Sequence, residues 1–328
     1  MALPINTEQH SPQHKATEVH KNLQPWLEDF NAQLELLAAS NFKRTPDVAR
    51  QGLAALTLSH VHQSPEIDKV LDGVVAGVPV RLYNPDPNSA LPVLIYYHGG
   101  GHMAGSIDVY DSIYRRLAHS CNHIVIAVEY RLSPEFRYPA GLSDCYTVVE
   151  NITTYLETLG VLYSDKLAIA GDSGGGALTA SIAQRAARDP AVQIHKQVLI
   201  YPSLDYTMSG ASIQTNGHGY LLESSTIEWY FEHYFHPEDD RVAASPLLSD
   251  LSGNMPSTYV ITAGFCPLKD EGIAYYDKLK RAGVPVQHQH FPDMNHAFMN
   301  LASLVPEQCT QLYQSVGDFL NEEVGSNK

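Results

Sequence analysis

From Gly73 onward the chain alternates two textures, and no other feature restricts its possible folds as much. Short apolar runs occur at 92–97, 124–128, 167–170, 197–201, 258–263 and 286–291. Each has the length of a buried strand rather than of a helix. Segments of helical period lie between most of them, at 110–120, 144–159 and 175–188. Strands apolar on both faces and alternating with helices predict a mostly parallel central sheet flanked by helices, because each parallel crossover carries a helix back over the sheet. Ligands of such sheets bind at the carboxyl ends of the strands. Ahead of the alternation, VVAGVPVRLYNP predicts a strand hairpin that turns at Ala76-Gly77.

Two regions depart from this texture. Near the start, Leu23, Trp26, Leu27, Phe30, Leu34 and Leu37 recur at steps of three and four, which predicts a helix, and a second one is expected over 46–56. The stretch 205–245 offers no strand candidate. Within it, Ser225-Thr226-Ile227-Glu228 has the form of a capping box opening the aromatic segment TIEWYFEHYF. That segment reads either as a core helix or as a lid helix over a site, and its place in the chain favours the lid.

Composition excludes several classes. A net charge of −15 repels phosphate backbones, so no nucleic-acid partner is expected. No apolar run reaches the 18 or so residues of a membrane span, and the polar start lacks the apolar core of a signal peptide. Cys121, Cys145, Cys266 and Cys309 show no CxxC spacing and read as reduced thiols of a cytoplasmic protein. The pairs His60/His62 and His288/His290 would share a face if in strands, but each lacks further ligands, so no metal site is expected.

Three motifs carry chemistry. Gly171-Asp172-Ser173-Gly174-Gly175 follows an apolar run and precedes a helical pattern, which predicts a sharp strand-to-helix turn presenting Ser173 at a helix N-terminus. His98-Gly99-Gly100-Gly101 follows VLIYY, and its glycines leave backbone amides reachable, as an oxyanion hole requires. A phosphate loop would continue into GK[ST], whereas this one continues His102-Met103-Ala104-Gly105. After the last apolar run comes His296, at the sheet edge that carries Ser173, where a serine nucleophile finds its base. The serine precedes the histidine, as in α/β-hydrolases.

With HGGGHMAG (98–105), EYRLSPEFRYPA (129–140), AGDSGGG (170–176), SPLLSDLSGNMPSTYVITAGF (245–265) and NHAF (295–298) in this order, the sequence resembles the hormone-sensitive-lipase-like family of α/β-hydrolase carboxylesterases. The resemblance implies an α/β-hydrolase fold over 61–328, with a helical lid built from N-terminal helices within 1–60 and an insertion at 205–245. It implies hydrolysis of short- to medium-chain carboxylic esters through an acyl-enzyme, with no cofactor and a small-molecule ester as the partner. By motif position Ser173 is the nucleophile and His296 the general base. The amides of Gly100, Gly101 and Gly174 form the oxyanion hole, and His98 braces the glycine loop. The aromatic helix suggests Trp229 and Tyr230 as substrate-pocket residues.

Three positions depart from the family pattern. His102 stands where an aromatic residue is frequent, and it would make the pocket more polar. GDSGG replaces GDSAG. Cys266 stands where the triad aspartate is expected, 30 residues before His296. Asp270, the nearest carboxylate downstream, is the favoured acid because a carboxylate suits the task best. A direct contact from Cys266, or a Ser173–His296 dyad helped by Asp293 or water, stays open. So do an amidase or deacetylase using the same serine, a ligand-binding homologue without turnover, and a homodimer through the sheet edge near 286–291.

Overall fold

A computed structural model of the protein describes residues 18–40 and 42–323. Most of the start read above as lacking a signal peptide, residues 1–17, lies outside the described residues. The strands are β1 (Lys69–Val75), β2 (Val78–Asn84), β3 (Leu91–Tyr97), β4 (Ile124–Val128), β5 (Tyr163–Asp172), β6 (Lys196–Ile200), β7 (Ser257–Phe265) and β8 (Val286–Asn295). They form one sheet in the order β1-β2-β4-β3-β5-β6-β7-β8. The pairings β1/β2 and β2/β4 are antiparallel, and all the others are parallel. The hairpin turns at Ala76 and Gly77, both at positive φ, as a tight two-residue turn between twisted strands requires.

The helices are α1 (Leu23–Ala38), α2 (Pro46–His60), α3 (Ile107–Cys121), α4 (Ala140–Thr158), α5 (Gly174–Ala186), α6 (Ser212–Thr215), α7 (Ser224–Tyr234), α8 (Arg241–Ala244), α9 (Lys269–Arg281) and α10 (Pro306–Asn321). Their starts follow local chemistry: Thr45 caps α2 ahead of Pro46, and Ser106 caps α3 through the Val109 amide. The central strands β4 and β6 are buried along their whole length. Successive residues of β3 and β4 divide between two apolar layers. Leu94, Tyr96, Val125 and Ala127 pack with α3 and α10, and Val93, Ile95, Ile124 and Ile126 with α4, α5 and α9. Lys196, buried at the start of β6, donates to the carbonyls of Phe319 (2.6 Å) and Leu320 (3.2 Å) at the end of α10, where a cation offsets the helix dipole.

No strand interrupts 205–245, as expected, but the capping box does not form. α7 begins at Ser224, whose hydroxyl donates to the carbonyl of Ile213 and so ties α7 to the segment around α6. Glu223 precedes it and accepts from the Gly219 amide. This tertiary contact, rather than a local cap, sets the start of the helix. Among the described residues, no helix is long and apolar enough to cross a membrane.

Candidate active site

β5 runs directly into α5 through Ser173, whose φ of 54° and ψ of −119° are unusual for a residue with a side chain. The turn is this sharp because Gly175 lies against β3, where a Cβ would overlap the Tyr97 carbonyl. Ser173 is half-buried, and its Oγ lies 2.9 Å from Nε2 of His296, which follows the end of β8. The ring of His296 is buried edge-on to Tyr201, with centroids 4.9 Å apart. Burial pushes its pKa down to about 3, and among the described residues no neighbouring anion opposes that shift.

The other ring nitrogen, Nδ1, lies 3.1 Å from Sγ of Cys266, which also accepts the Leu268 amide at 3.3 Å. The Cys266 thiol is fully buried, and burial raises its pKa well above the usual thiol range, so it is neutral. Asp270, favoured from sequence as the acid, is elsewhere. It sits in the first turn of α9, and its carboxylate accepts the Ser212 amide at 2.8 Å while its own amide donates to Ser212 Oγ at 3.0 Å. One helical turn beyond Cys266 aims that side chain at α6 and away from the histidine. No hydrogen bond joins the Asp293 carboxylate to His296 among the described residues.

Gly100 and Gly101, at φ +118° and +62°, bring the glycine loop over the start of α5, where the amide nitrogen of Gly101 lies 3.3 Å from the Cβ position of Gly174. Among the described residues, the amides of Gly100, Gly101 and Gly174 donate to no acceptor, so they remain available to a ligand. His98, fully buried, hydrogen-bonds the Gly99 carbonyl through Nδ1 at 2.8 Å and stacks on Tyr130. Burial holds it neutral, with a pKa of about 4. Asp172, for which the sequence alone suggests no role, joins the two motifs. Its carboxylate accepts the Gly99 amide (2.8 Å), Tyr96 Oη (2.9 Å) and Tyr110 Oη (3.2 Å). Burial raises its pKa to about 6. Its place between Gly171 and Ser173 was the only sequence signal.

In front of Ser173 lies a largely apolar cavity of about 830 Å³. Its walls include Phe30 and Leu34 of α1, Leu53 and Leu56 of α2, and Tyr230 and Phe231 of α7. The glycine loop, His102 and His296 close its base. Trp229 is not in its wall. That ring packs against His233, with the guanidinium of Arg44 5.6 Å from its centre. Adjacent residues of a helix point about 100° apart, and the face that meets the cavity carries Tyr230. The histidine pairs do not build a metal site either: His288 Nε2 and His290 Nδ1 each hydrogen-bond Thr262 Oγ1 at 2.8 Å, and His60 hydrogen-bonds Ser303. Among the described residues, no group of three or more His, Cys, Asp or Glu side chains is placed to hold a metal ion.

A family model described as alpha/beta hydrolase fold matches residues 94–300. The chain is 39% identical to ethyl acetate hydrolase of Pseudomonas putida over 236 residues, 70% of this chain and 74% of that protein. It is 33% identical to esterase LipI of Mycobacterium tuberculosis over 286 residues, covering 83% and 88%. Among solved structures, a hyperthermophilic esterase from the archaeon Pyrobaculum calidifontis superposes with a TM-score of 0.85 at 31% identity, covering 92% of this chain and 98% of that one.

Proposed function

The chain belongs to the hormone-sensitive-lipase-like family of α/β-hydrolase carboxylesterases and is a carboxylic ester hydrolase, and from that premise we propose that Ser173, His296 and Cys266 form its catalytic relay. One observation carries the reading: a single imidazole lies within hydrogen-bond reach of the strained serine on one side and of a buried sulfur on the other. Ser173 Oγ attacks the ester carbonyl carbon as its proton passes to His296 Nε2. The carbonyl π pair moves onto oxygen, where the amides of Gly100, Gly101 and Gly174 donate to it. Collapse of the tetrahedral intermediate breaks the bond to the alcohol oxygen, which takes the proton from Nε2. Water then repeats the sequence on the acyl-enzyme, releasing the acid and restoring Ser173.

Cys266 takes the position of the acid with a weaker hand. A carboxylate only accepts, and so it fixes the proton on Nδ1. A neutral thiol both donates and accepts. The sulfur already accepts the Leu268 amide, and the relay uses the tautomer in which Nδ1–H donates to that sulfur as well, leaving Nε2 free to take the serine proton. Without an anion behind it, the imidazolium is less stabilised than in a carboxylate triad. That suits esters, whose alkoxide leaving groups depart more readily than amines, and nothing in the site favours the amidase or the ligand-binding reading.

The cavity supports short- to medium-chain acyl or alcohol groups as substrates, with the helices of 18–60 and the segment 205–245 acting as its lid. Four buried free cysteines fit a reducing, cytoplasmic setting. The edge of β8 is where a homodimer, if formed, would continue the sheet. The test is labelling with a nitrophenyl phosphonate, followed by peptide mass spectrometry. The expected adduct is one phosphonyl group on Ser173, with loss of ester turnover in proportion. Turnover that survives full labelling of Ser173, or Ser173→Ala that still hydrolyses nitrophenyl esters, rejects the assignment.

A further inference from the structure

Gly100, Gly101 and His102 are three consecutive residues at positive φ, and the third, at +59°, carries a side chain. A side chain in this region costs energy unless its surroundings fix it there. Three contacts do so. The His102 carbonyl accepts the Ser133 amide at 2.8 Å and Ser133 Oγ at 3.1 Å. The imidazole stacks on Tyr234, with centroids 3.9 Å apart and planes 9° apart. Its Nε2 pairs with Tyr206 Oη at 3.2 Å. The ring is 2% exposed, and burial pushes its pKa down to about 3, so it is a neutral, fixed plate.

Its partners are not part of the sheet. Tyr234 is the last residue of α7, and Tyr206 opens the segment that leads to it. A second residue of α7 bears on the same loop: the Tyr230 ring lies so close over Gly101 that a Cβ there would come within 2.6 Å of it. The glycine loop is therefore gripped from two sides. Asp172 holds Gly99 from the sheet, Tyr230 covers Gly101 from the cavity wall, and Tyr234 and Tyr206, buried behind that wall, hold His102.

The geometry points to His102 as a positioning residue that couples α7 to the oxyanion hole, so that the roof helix sets the aim of the Gly100 and Gly101 amides as well as the shape of the cavity. This rests on the reading of those amides as the oxyanion hole. His102 touches no reacting atom in this account. It acts by holding the backbone one residue beyond Gly101, where a small rotation turns the amides away from the developing alkoxide. A donor lost from such a site costs about 10²–10³ in kcat, so a donor held loosely is expected to cost about 10–100-fold.

The test compares a nitrophenyl ester with its thionoester, whose sulfur fits badly into amides aimed at oxygen. The wild type is expected to prefer the ester strongly. In His102→Ala, kcat on the ester falls about 10–100-fold, KM stays within about threefold, and the ester-to-thionoester ratio collapses. His102→Phe keeps the stack and loses only the Tyr206 contact, so it and Tyr206→Phe are expected to show the same smaller loss, and the double variant no more than either. If His102→Ala fails to fold, Tyr206→Phe, which removes one oxygen, decides the matter: an unchanged ratio there overturns the proposal. A His102→Ala protein with altered KM and chain-length profile but an unchanged ratio makes His102 a pocket wall and overturns it too. A wild-type ratio near one rejects the oxyanion reading itself, and the coupling with it.

Discussion

Replacing Cys266 by aspartate tests how much the missing carboxylate costs this enzyme. In the native protein the partner of His296 Nδ1 is a neutral sulfur at 3.1 Å. A neutral hydrogen bond contributes about 0.5–1.5 kcal/mol and one to a charged group about 1.5–3 kcal/mol. Aspartate should therefore stabilise the imidazolium by about 1–1.5 kcal/mol more than the thiol. The burial that now keeps the thiol neutral works against an ionised carboxylate, but the Leu268 amide supplies it with a second donor. The expected result is a rise of about tenfold in kcat/KM at neutral pH. The sign of the pH effect is independent of that magnitude. Burial holds the histidine at about 3. A carboxylate beside it favours the protonated ring, so its pKa rises and activity is lost earlier on acidification, by about one pH unit for each 1.36 kcal/mol. Initial rates on nitrophenyl acetate after a jump from pH 7.5 to a series of lower values give both quantities before slow unfolding interferes. An acid limb that stays put or moves to lower pH in Cys266→Asp would refute the placement of residue 266 against Nδ1.

Two further outcomes follow from burial and close approach. His98, His102 and His296 are held at about 4, 3 and 3 in the folded protein but titrate near 6.5 when unfolded, so the unfolded chain takes up protons the folded one refuses. Stability should be complete above the unfolded value and fall below it, by at most about 1.4 kcal/mol per pH unit for each ring, offset in part by Asp172, whose raised pKa acts in the opposite sense. Urea unfolding is expected to lose about 2–4 kcal/mol between pH 7.5 and 5.5, and a flat profile would contradict the burial of neutral rings. Gly175→Ala places a methyl group on the Tyr97 carbonyl, so the elbow must move; kcat should fall at least about 100-fold along with a lower melting temperature, and near-native turnover would show that the turn tolerates a side chain.

The middle of the sheet was legible because strands such as β3, β4 and β6 are apolar on both faces, the pattern of a strand buried between two layers of helices. The serine elbow and glycine loop were legible because their chemistry is local in sequence. The neighbours of His296 were not. Sequence distance ranks Asp270 close to Cys266, but α9 begins between them and turns the carboxylate toward Ser212. The same limit applies to α7: its aromatic content was plain, yet the rotation that puts Tyr230 in the cavity wall and Trp229 outside it depends on packing against Gly101. The start of α7 failed for a related reason, because a long-range contact of Ser224 displaced the local capping box. Asp172 was hidden in plain view between two motif residues, since its value lies in the Gly99 amide it holds from another strand.

The most direct test of the relay is a side-by-side measurement of kcat/KM on a short nitrophenyl ester for Cys266→Ala and Asp270→Asn, each shown to be folded by its unfolding curve. Cys266→Ala removes the only partner of His296 Nδ1 among the described residues, and Asp270→Asn keeps an oxygen that accepts the Ser212 amide. A relay through Cys266 predicts a loss of about three- to tenfold or more for Cys266→Ala, the worth of one neutral hydrogen bond plus a freed tautomer, and a change within about twofold for Asp270→Asn. A collapse in Asp270→Asn with Cys266→Ala untouched would contradict it and return the acid's role to the carboxylate.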